Sequence, residues 1–355
     1  MITRRALNRT LLHRQSLLER SDQPVTAMVE RLVGMQAQEP FSAYYGLWSR
    51  LRGFTPDDLG TLLTDRTVVR APLHRATIHL VTAADHARVE PVLRDVLRRR
   101  FGSSPFKAVL PGLDPGEFTA TAHALLVERP RTRAELSTDL ARHWPDRDPE
   151  SLGIAATHLL PVVQIPPRGV WGRSGRATWA AADHWLGTPG STLDPAPDLE
   201  GFLRRYLAAF GPATVKDMTL WSGLTRLKDV VRGMDLRVVH DETGRELFDV
   251  PDAPLLDPDT PAPARFLPEF DNLLLGHDDR TRVISDEDYR RGIVIGGKPT
   301  LLVDGFVHGT WTLRDGLDIR IFRPLTDTQR EDVLDEGTRL LKFADASGEV
   351  RITDA

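Results

Sequence analysis

The sequence predicts an α+β fold in which tandem winged-helix (helix-turn-helix) units are followed by a C-terminal mixed α/β segment. The order helix, turn, helix and strand pair occurs twice in the middle of the chain, and it is the order of a winged helix. Beyond residue 265, strand-like runs precede one closing helix. We therefore expect four segments: a degenerate winged helix over 1–110, winged helices over 111–190 and 191–255, and a β-rich segment with a closing helix over 256–355.

Helices in the N-terminal third are predicted from apolar residues at spacings of three and four and from capping residues. They cover 3–18, 25–36, 41–51, a segment opened by Thr55–Asp58, and a segment capped by Thr82 with Asp85 that ends in Arg98–Arg100. The second helix stops before Glu39, because Pro40 disfavours a helical conformation in the residue before it. A β-like stretch over 68–81 separates the last two helices.

The two middle units repeat one pattern. In the first, the capping box Thr132–Glu135 opens a helix to about residue 143, and a helix over 149–160 and strands over 162–165 and 177–181 follow. In the second, helices over 198–210 and 214–221 and a third to about residue 232 precede strands over 236–240 and 246–250.

The last segment follows a Pro/Asp-rich loop at 251–264. We expect strands over 293–295, 300–312 and 317–322, then a helix to about Phe343 capped by Thr328 with Glu331, and a last short strand.

Composition excludes several classes of protein. No apolar run approaches the roughly 20 residues needed to span a bilayer, and the N-terminus has no apolar core of a signal peptide. The chain has no cysteine, which removes disulfides, thiol nucleophiles, iron–sulfur clusters and cysteine zinc sites. We therefore expect a cytoplasmic protein that has no membrane partner.

Basic charge is concentrated in the first third of the chain. The net charge is −4, but Met1 to Leu110 carries 17 basic and 10 acidic residues, and the remainder is correspondingly acidic. Such asymmetry is expected when one part of a protein faces nucleic-acid phosphates. The alternative is ordinary fluctuation of charge along a chain.

The most informative segment for chemistry is Met35–Pro40. Gln36 lies four residues after Leu32, on the apolar face of its predicted helix, where an amide is costly unless it is hydrogen-bonded. Extended backbone near Pro40 places residues i and i+2 on one side, so the amides of Gln36 and Gln38 can converge on one pocket. The alternative is two glutamines that satisfy backbone groups at a helix end.

Other polar residues are candidates for DNA contact. Arg75, Thr77 and His79 alternate along the β-like stretch and are expected on one side of it, although a polar strand face is common. Further candidates are the run Arg98, Arg99 and Arg100, the turn residue Arg168, and His277 and Arg280. The last two belong to a polar region that includes Leu267–Asn272 and 276–280, for which a contact with phosphate or another domain is favoured over a metal site. We expect no metal ion and no cofactor.

Together these segments make the chain resemble the winged-helix superfamily that contains the AlkZ- and YcaQ-type DNA glycosylases. The resemblance extends over nearly the whole chain. The segments that carry it are Gln36–Gln38, Arg75–His79, Pro166–Gly172, Tyr206–Gly223, Leu267–Arg280 and Val303–Trp311. The collective pattern is specific, whereas any one piece is weak.

The resemblance implies tandem winged helices around a DNA channel and a monofunctional DNA-repair hydrolase for alkylation damage. Its substrate is double-stranded DNA carrying bulky N7-alkylated purines, including interstrand crosslinks. The family's catalytic motif is Gln-apolar-Gln in one branch and Gln-apolar-Asp in the other, and Gln36 and Gln38 occupy these positions, as in the AlkZ branch. We expect a monomer. The competing interpretation is a non-catalytic winged-helix DNA-binding protein, a regulator or a genotoxin-binding protein.

Overall fold

The computed structural model describes residues 1–187 and 197–354. Its α-helices are α1 (Arg4–Arg14), α2 (Val25–Arg31), α3 (Ser42–Trp48), α4 (Pro56–Thr64), α5 (Ala83–Gly102), α6 (Pro115–Glu128), α7 (Arg133–Ala141), α8 (Pro149–Leu159), α9 (Ala182–Trp185), α10 (Leu199–Phe210), α11 (Val215–Ser222), α12 (Lys228–Gly233), α13 (Asn272–Leu275), α14 (Asp286–Arg290) and α15 (Asp327–Phe343). Short 3₁₀ helices cover His74–Ala76, Pro105–Val109 and Arg280–Arg282.

The strands are mostly short. They are β1 (Met35–Gln36), β2 (Val68–Pro72), β3 (Ile78–Thr82), β4 (Arg131–Thr132), β5 (Val162–Ile165), β6 (Thr178–Ala181), β7 (Arg237–His240), β8 (Glu246–Asp249), β9 (Arg265–Leu267), β10 (Thr300–Val303), β11 (Phe306–Arg314), β12 (Gly316–Ile321) and β13 (Glu349–Asp354). The mixture of helices and sheets confirms the α+β class. Among the described residues no helix is long and apolar enough to cross a membrane.

The chain forms two compact units that interleave in sequence. The first unit comprises Met1–Pro56, Leu203–Trp221 and Thr225–Ala355, and the second comprises Asp57–Phe202 with Ser222–Leu224. Each unit combines segments that are distant in the sequence, and local patterns identify elements but do not reveal which distant elements pack together.

The second unit contains the first of the two repeated patterns. Strands β3, β2, β5, β6 and β4 lie side by side in that order, and Phe118, Leu136 and Leu152 are fully buried in the core beneath them. The capping box of Thr132 with Glu135 opens α7 as predicted. Helix α6 was not predicted, although Asp114 caps it and Pro115 occupies its first turn, which are both helix-start signals.

The first unit contains a five-stranded sheet of order β13-β12-β11-β10-β9. Strands β12 and β13 are parallel, and the other pairs are antiparallel. The strand predicted at 300–312 is two strands, because Asp304 and Gly305 take positive φ angles of 50° and 78° and reverse the chain. The strand predicted at 293–295 is wrong, since these residues form turns. Thr326 with Gln329, not Thr328 with Glu331, caps the closing helix.

Two predictions in the N-terminal third also need correction. Helix α2 ends at Arg31, and Gln36 lies in a short strand rather than on a helix face. The β-like stretch over 68–81 is an antiparallel pair, β2 with β3, joined by a turn in which Arg75 and Ala76 have positive φ angles of 54° and 62°. Arg75 and Thr77 are therefore not alternating residues of one strand. Periodicity does not indicate where a non-glycine residue takes a positive φ.

A buried ion pair joins distant segments of the first unit. Arg50 is fully buried, and its guanidinium donates to both carboxylate oxygens of Asp271 at 2.9 and 2.7 Å. The same guanidinium donates to the Gly46 carbonyl at 2.9 Å. Removing one partner of such a pair leaves an uncompensated buried charge.

We predict that Arg50→Met lowers the free energy of unfolding by about 3–5 kcal/mol, the usual effect of breaking a buried pair. Urea unfolding followed by tryptophan fluorescence measures the change. Arg52→Met is the matched control, because Arg52 makes exposed ion pairs with Asp22 and Glu19 and such pairs contribute at most about 1 kcal/mol. Equal effects of the two substitutions would contradict the structural role given to Arg50.

Candidate active site

Gln36 and Gln38 lie on a short segment that follows the end of α2. Gln36 is buried, at 9 % of its full exposure, whereas Gln38 is exposed and Ala37 between them is buried. The segment therefore places one amide in the interior and one at the surface, and the convergence of both amides on one pocket stays a prediction. Neutral amides can donate and accept hydrogen bonds without exchanging a proton.

A strained turn directs the chain into this segment. The backbone N–H groups of Val33 and Gly34 donate to the carbonyls of Glu30 and Val29 at 3.1 and 3.0 Å, and the φ angles of the two turn residues are 55° and 88°. Glycine accepts such an angle readily, but for a β-branched residue it is a true outlier that costs about 1–3 kcal/mol. Val33 is fully buried, so packing holds it in this conformation.

Asn272, the first residue of α13, contacts this turn. Its Nδ2 donates to the Gly34 carbonyl at 2.7 Å and to the Leu32 carbonyl at 3.4 Å. Its Oδ1 accepts from the backbone N–H of Gln36 at 3.4 Å. The polar segment Leu267–Asn272 therefore supports the glutamine segment. Among the described residues no group of three or more His, Asp or Glu residues could hold a metal ion.

Two carboxylates on neighbouring segments differ in their surroundings. Glu39 is exposed, whereas Glu269 is half-buried and accepts a hydrogen bond from the Ser42 hydroxyl at 3.0 Å. Burial and the neighbouring charge of Glu269 raise the pKa of Tyr45 to about 12. The Tyr45 hydroxyl thus stays protonated at neutral pH and can act only as a neutral hydrogen-bonding group.

The candidates around β3 are largely internal. Arg75 and Thr77 are half-buried in the turn before the strand, and the Thr77 hydroxyl donates to the His74 carbonyl at 3.1 Å. His79 is buried, its Nδ1 lies 2.9 Å from the Thr77 carbonyl, and burial, followed by the charge of Arg75, lowers its pKa to about 3. A neutral, buried ring offers no charge to a phosphate, so we leave His79 out of the proposed DNA surface.

The arginines at the end of α5 are exposed, as a DNA-contacting run requires. Arg98 approaches Asp95 at 3.6 Å, Arg99 donates to the Gly223 carbonyl at 3.4 Å, and Arg100 is exposed beside them. Arg99 and Arg100 lie in the last turn of the helix.

The turn between β5 and β6 carries further basic residues. Arg168 is half-buried and donates to the Gly175 carbonyl at 3.3 Å. Arg173 and Arg176 are exposed, and neither was among the residues predicted from sequence to contact DNA. The signal was available, because no acidic residue occurs from Val162 to Ala182.

The structure places the last two candidates in supporting roles. His277 is buried, its Nε2 lies 3.0 Å from the Phe210 carbonyl, and burial lowers its pKa to about 3. Arg280 donates to the Leu274 carbonyl at 2.9 Å and lies over the Tyr289 ring. Both side chains organise the loop after α13, and we therefore leave both out of the proposed DNA surface. Composition could not reveal this, because burial depends on distant residues.

Comparisons with known proteins identify the family and a matching fold. A sequence model of the family described as "DNA glycosylase AlkZ-like" matches residues 29–343. The chain is 25 % identical to an interstrand DNA cross-link repair glycosylase of Streptomyces sahachiroi over 371 aligned positions, which cover 96 % of this chain and 95 % of that protein. The solved structure of Streptomyces sahachiroi DNA glycosylase AlkZ matches the fold with a TM-score of 0.81 at 21 % identity, over 99 % of this chain and 100 % of that one.

Proposed function

The chain belongs to the AlkZ-like DNA glycosylase family, and from this premise we propose that it excises bulky N7-alkylated purines from double-stranded DNA. As a DNA glycosylase it hydrolyses the N-glycosidic bond. The observation that carries the finer proposal is that Gln36 and Gln38 form a Gln-apolar-Gln motif on one supported segment, with Gln38 exposed at the surface.

The proposed substrate suits the residues of the motif. An N7-alkylated guanine is already cationic, so its glycosidic bond is weakened and the departing base needs no general acid. The enzyme has to stabilise an oxocarbenium-like sugar and orient a water molecule. Two positioned amides can do both through hydrogen bonds, since their contribution is orientation and electrostatic stabilisation rather than proton transfer.

We extend the proposal to interstrand crosslinks. The relative from Streptomyces sahachiroi is named as a cross-link repair glycosylase and aligns with nearly the full length of both chains. A crosslink joined through purine N7 atoms contains the same cationic base as a simple N7 adduct, so one chemical mechanism serves both. We also propose a role in protecting a producer from its own DNA-alkylating natural product, because such a product would generate this class of substrate.

The proposed DNA surface combines two basic regions of the second unit. One is the run Arg98–Arg100 at the end of α5, and the other is the turn from Arg168 to Arg176. Guanidinium groups suit phosphate because they donate two parallel hydrogen bonds. Such contacts fix the position of DNA without reading its sequence, as a lesion-directed enzyme requires.

We predict that Gln36→Ala and Gln38→Ala each reduce excision from DNA containing N7-alkylguanine by about 100-fold or more, the usual effect of removing one positioned hydrogen-bonding group. Alkali cleavage of the resulting abasic sites under single-turnover conditions measures the rate. Gln23→Ala is the matched control, because Gln23 is exposed and lies outside the motif. Unchanged rates in both motif variants would remove the site assignment. Intact DNA binding without strand breaks in the unmodified protein would overturn the proposed substrate.

We also predict that replacing Arg98, Arg99 and Arg100 with Gln weakens DNA binding and flattens its salt dependence. The logarithm of the DNA-binding constant falls linearly with the logarithm of salt concentration, and each guanidinium that no longer neutralises a phosphate makes this slope about 0.9 less steep. Binding titrations at several salt concentrations measure the slope. The control replaces Arg4, Arg52 and Arg351, which are exposed and lie near carboxylates of the first unit. Equal slopes in the unmodified protein and the α5 variant would locate the DNA surface elsewhere.

A further inference from the structure

We propose that Asn272 is a positioning residue, which sets the place of Gln36 and Gln38 by binding the backbone that carries them. The inference rests on the proposed function of the two glutamines. Asn272 acts through the segment 32–36, and we assign it no contact with the reacting atoms.

One side chain satisfies several backbone groups of this segment. The Asn272 amide contacts the carbonyls of Leu32 and Gly34 and the N–H of Gln36. These three backbone groups lie before, within and after the turn at Val33 and Gly34. The rigid, planar amide of Asn272 therefore fixes the distances between them. The side-chain amide of Asn carries both a hydrogen-bond donor and an acceptor. An ionised aspartate at this position would have no proton to donate to the two carbonyl oxygens.

The backbone is strained on both sides of this contact. Val33 has a φ angle of 55° on the glutamine segment, and Phe270 has a φ angle of 56° two residues before Asn272. Strained backbone persists only where the surroundings over-determine it, and it concentrates at functional sites. Without the amide, segment 32–36 loses hydrogen bonds that oppose relaxation of Val33.

Asn272 is itself held in place. It is buried at 8 % exposure, and it is the first residue of α13, whose cap is Asp271. Both carboxylate oxygens of Asp271 accept from Arg50, and the Arg50 guanidinium also approaches the Gln15 side-chain oxygen at 3.3 Å. The side chain that supports the glutamine segment is therefore fixed through a buried ion pair rather than through a mobile loop.

The same unit offers a matched comparison. Asn8 is also a buried asparagine, and its Nδ2 donates to the carbonyls of Arg282 and Gly305 at 2.7 and 2.8 Å. These bonds join segments that carry neither glutamine. The Oδ1 of Asn8 also accepts from the Arg9 guanidinium at 2.6 Å. Asn8→Ala therefore removes three hydrogen bonds of a buried asparagine, as Asn272→Ala does, and reproduces the general loss of stability expected for Asn272→Ala.

The experiment compares Asn272→Ala with Asn8→Ala in the full chain, with DNA containing N7-methylguanine as the probe. The single-turnover excision rate is measured at increasing enzyme concentrations. The series gives the maximal rate and, separately, the enzyme concentration at half-saturation. We expect the maximal rate of Asn272→Ala to fall by about 100-fold, the effect of a misplacement of about 1 Å. The enzyme concentration at half-saturation should be unchanged in Asn272→Ala. Asn8→Ala should keep the maximal rate of the unmodified protein.

Hydrogen exchange of peptides covering 32–38 gives a readout that does not need activity. Exchange in this segment should accelerate in Asn272→Ala and not in Asn8→Ala. An equal fall in rate for both variants, or unchanged exchange over 32–38 in Asn272→Ala, would overturn the positioning role. If the unmodified protein excises nothing, the proposed substrate fails, and the exchange comparison still decides whether Asn272 holds the segment.

Discussion

The hydrogen bonds between the Asn272 side chain and the turn before Gln36 are the interaction on which the proposed site depends. They cross about 240 residues of sequence, since Asn272 reaches Leu32, Gly34 and Gln36. Local hydrogen bonds, packing around Val33 and the Asn272 side chain together hold this segment of five residues, which has two positive φ angles. Asn272 comes from a distant part of the sequence, and the positions proposed for the two glutamines depend on its contacts.

Buried charge extends this support into the first unit. Arg50 with Asp271 fixes the start of α13, and Arg14 with Asp249 ties α1 to β8 by two hydrogen bonds of 2.6 and 2.8 Å. Buried pairs contribute little net stability compared with apolar residues, but each becomes costly if one partner is lost. The arrangement therefore favours one packing of the distant segments over alternatives. In the second unit, most of the basic residues proposed for DNA contact are exposed, where phosphate can reach them, and Arg168 is half-buried.

Much of the fold could be predicted from local signals. Thr82 with Asp85 and Thr132 with Glu135 mark the starts of α5 and α7, because capping depends on residues three apart. Periodicity and Pro40 single out Gln36 and Gln38, but they place Gln36 on a helix that ends five residues earlier, and only the resemblance gives the two glutamines a catalytic role. The positive φ of Val33 and the burial of His79 and His277 depend on distant packing. No local pattern contains that information, and the role of Asn272 is hidden for the same reason.

The most direct test is a double-mutant cycle between the amide and the motif. The maximal single-turnover excision rate is measured for Asn272→Ala, for the double variant that carries Gln36→Ala and Gln38→Ala, and for the triple variant that combines all three substitutions. If Asn272 acts through the glutamine segment, its substitution lowers the rate in the unmodified protein and has little further effect once both glutamines are gone, since coupled residues are not additive. The same fold-loss in both backgrounds would contradict the positioning role.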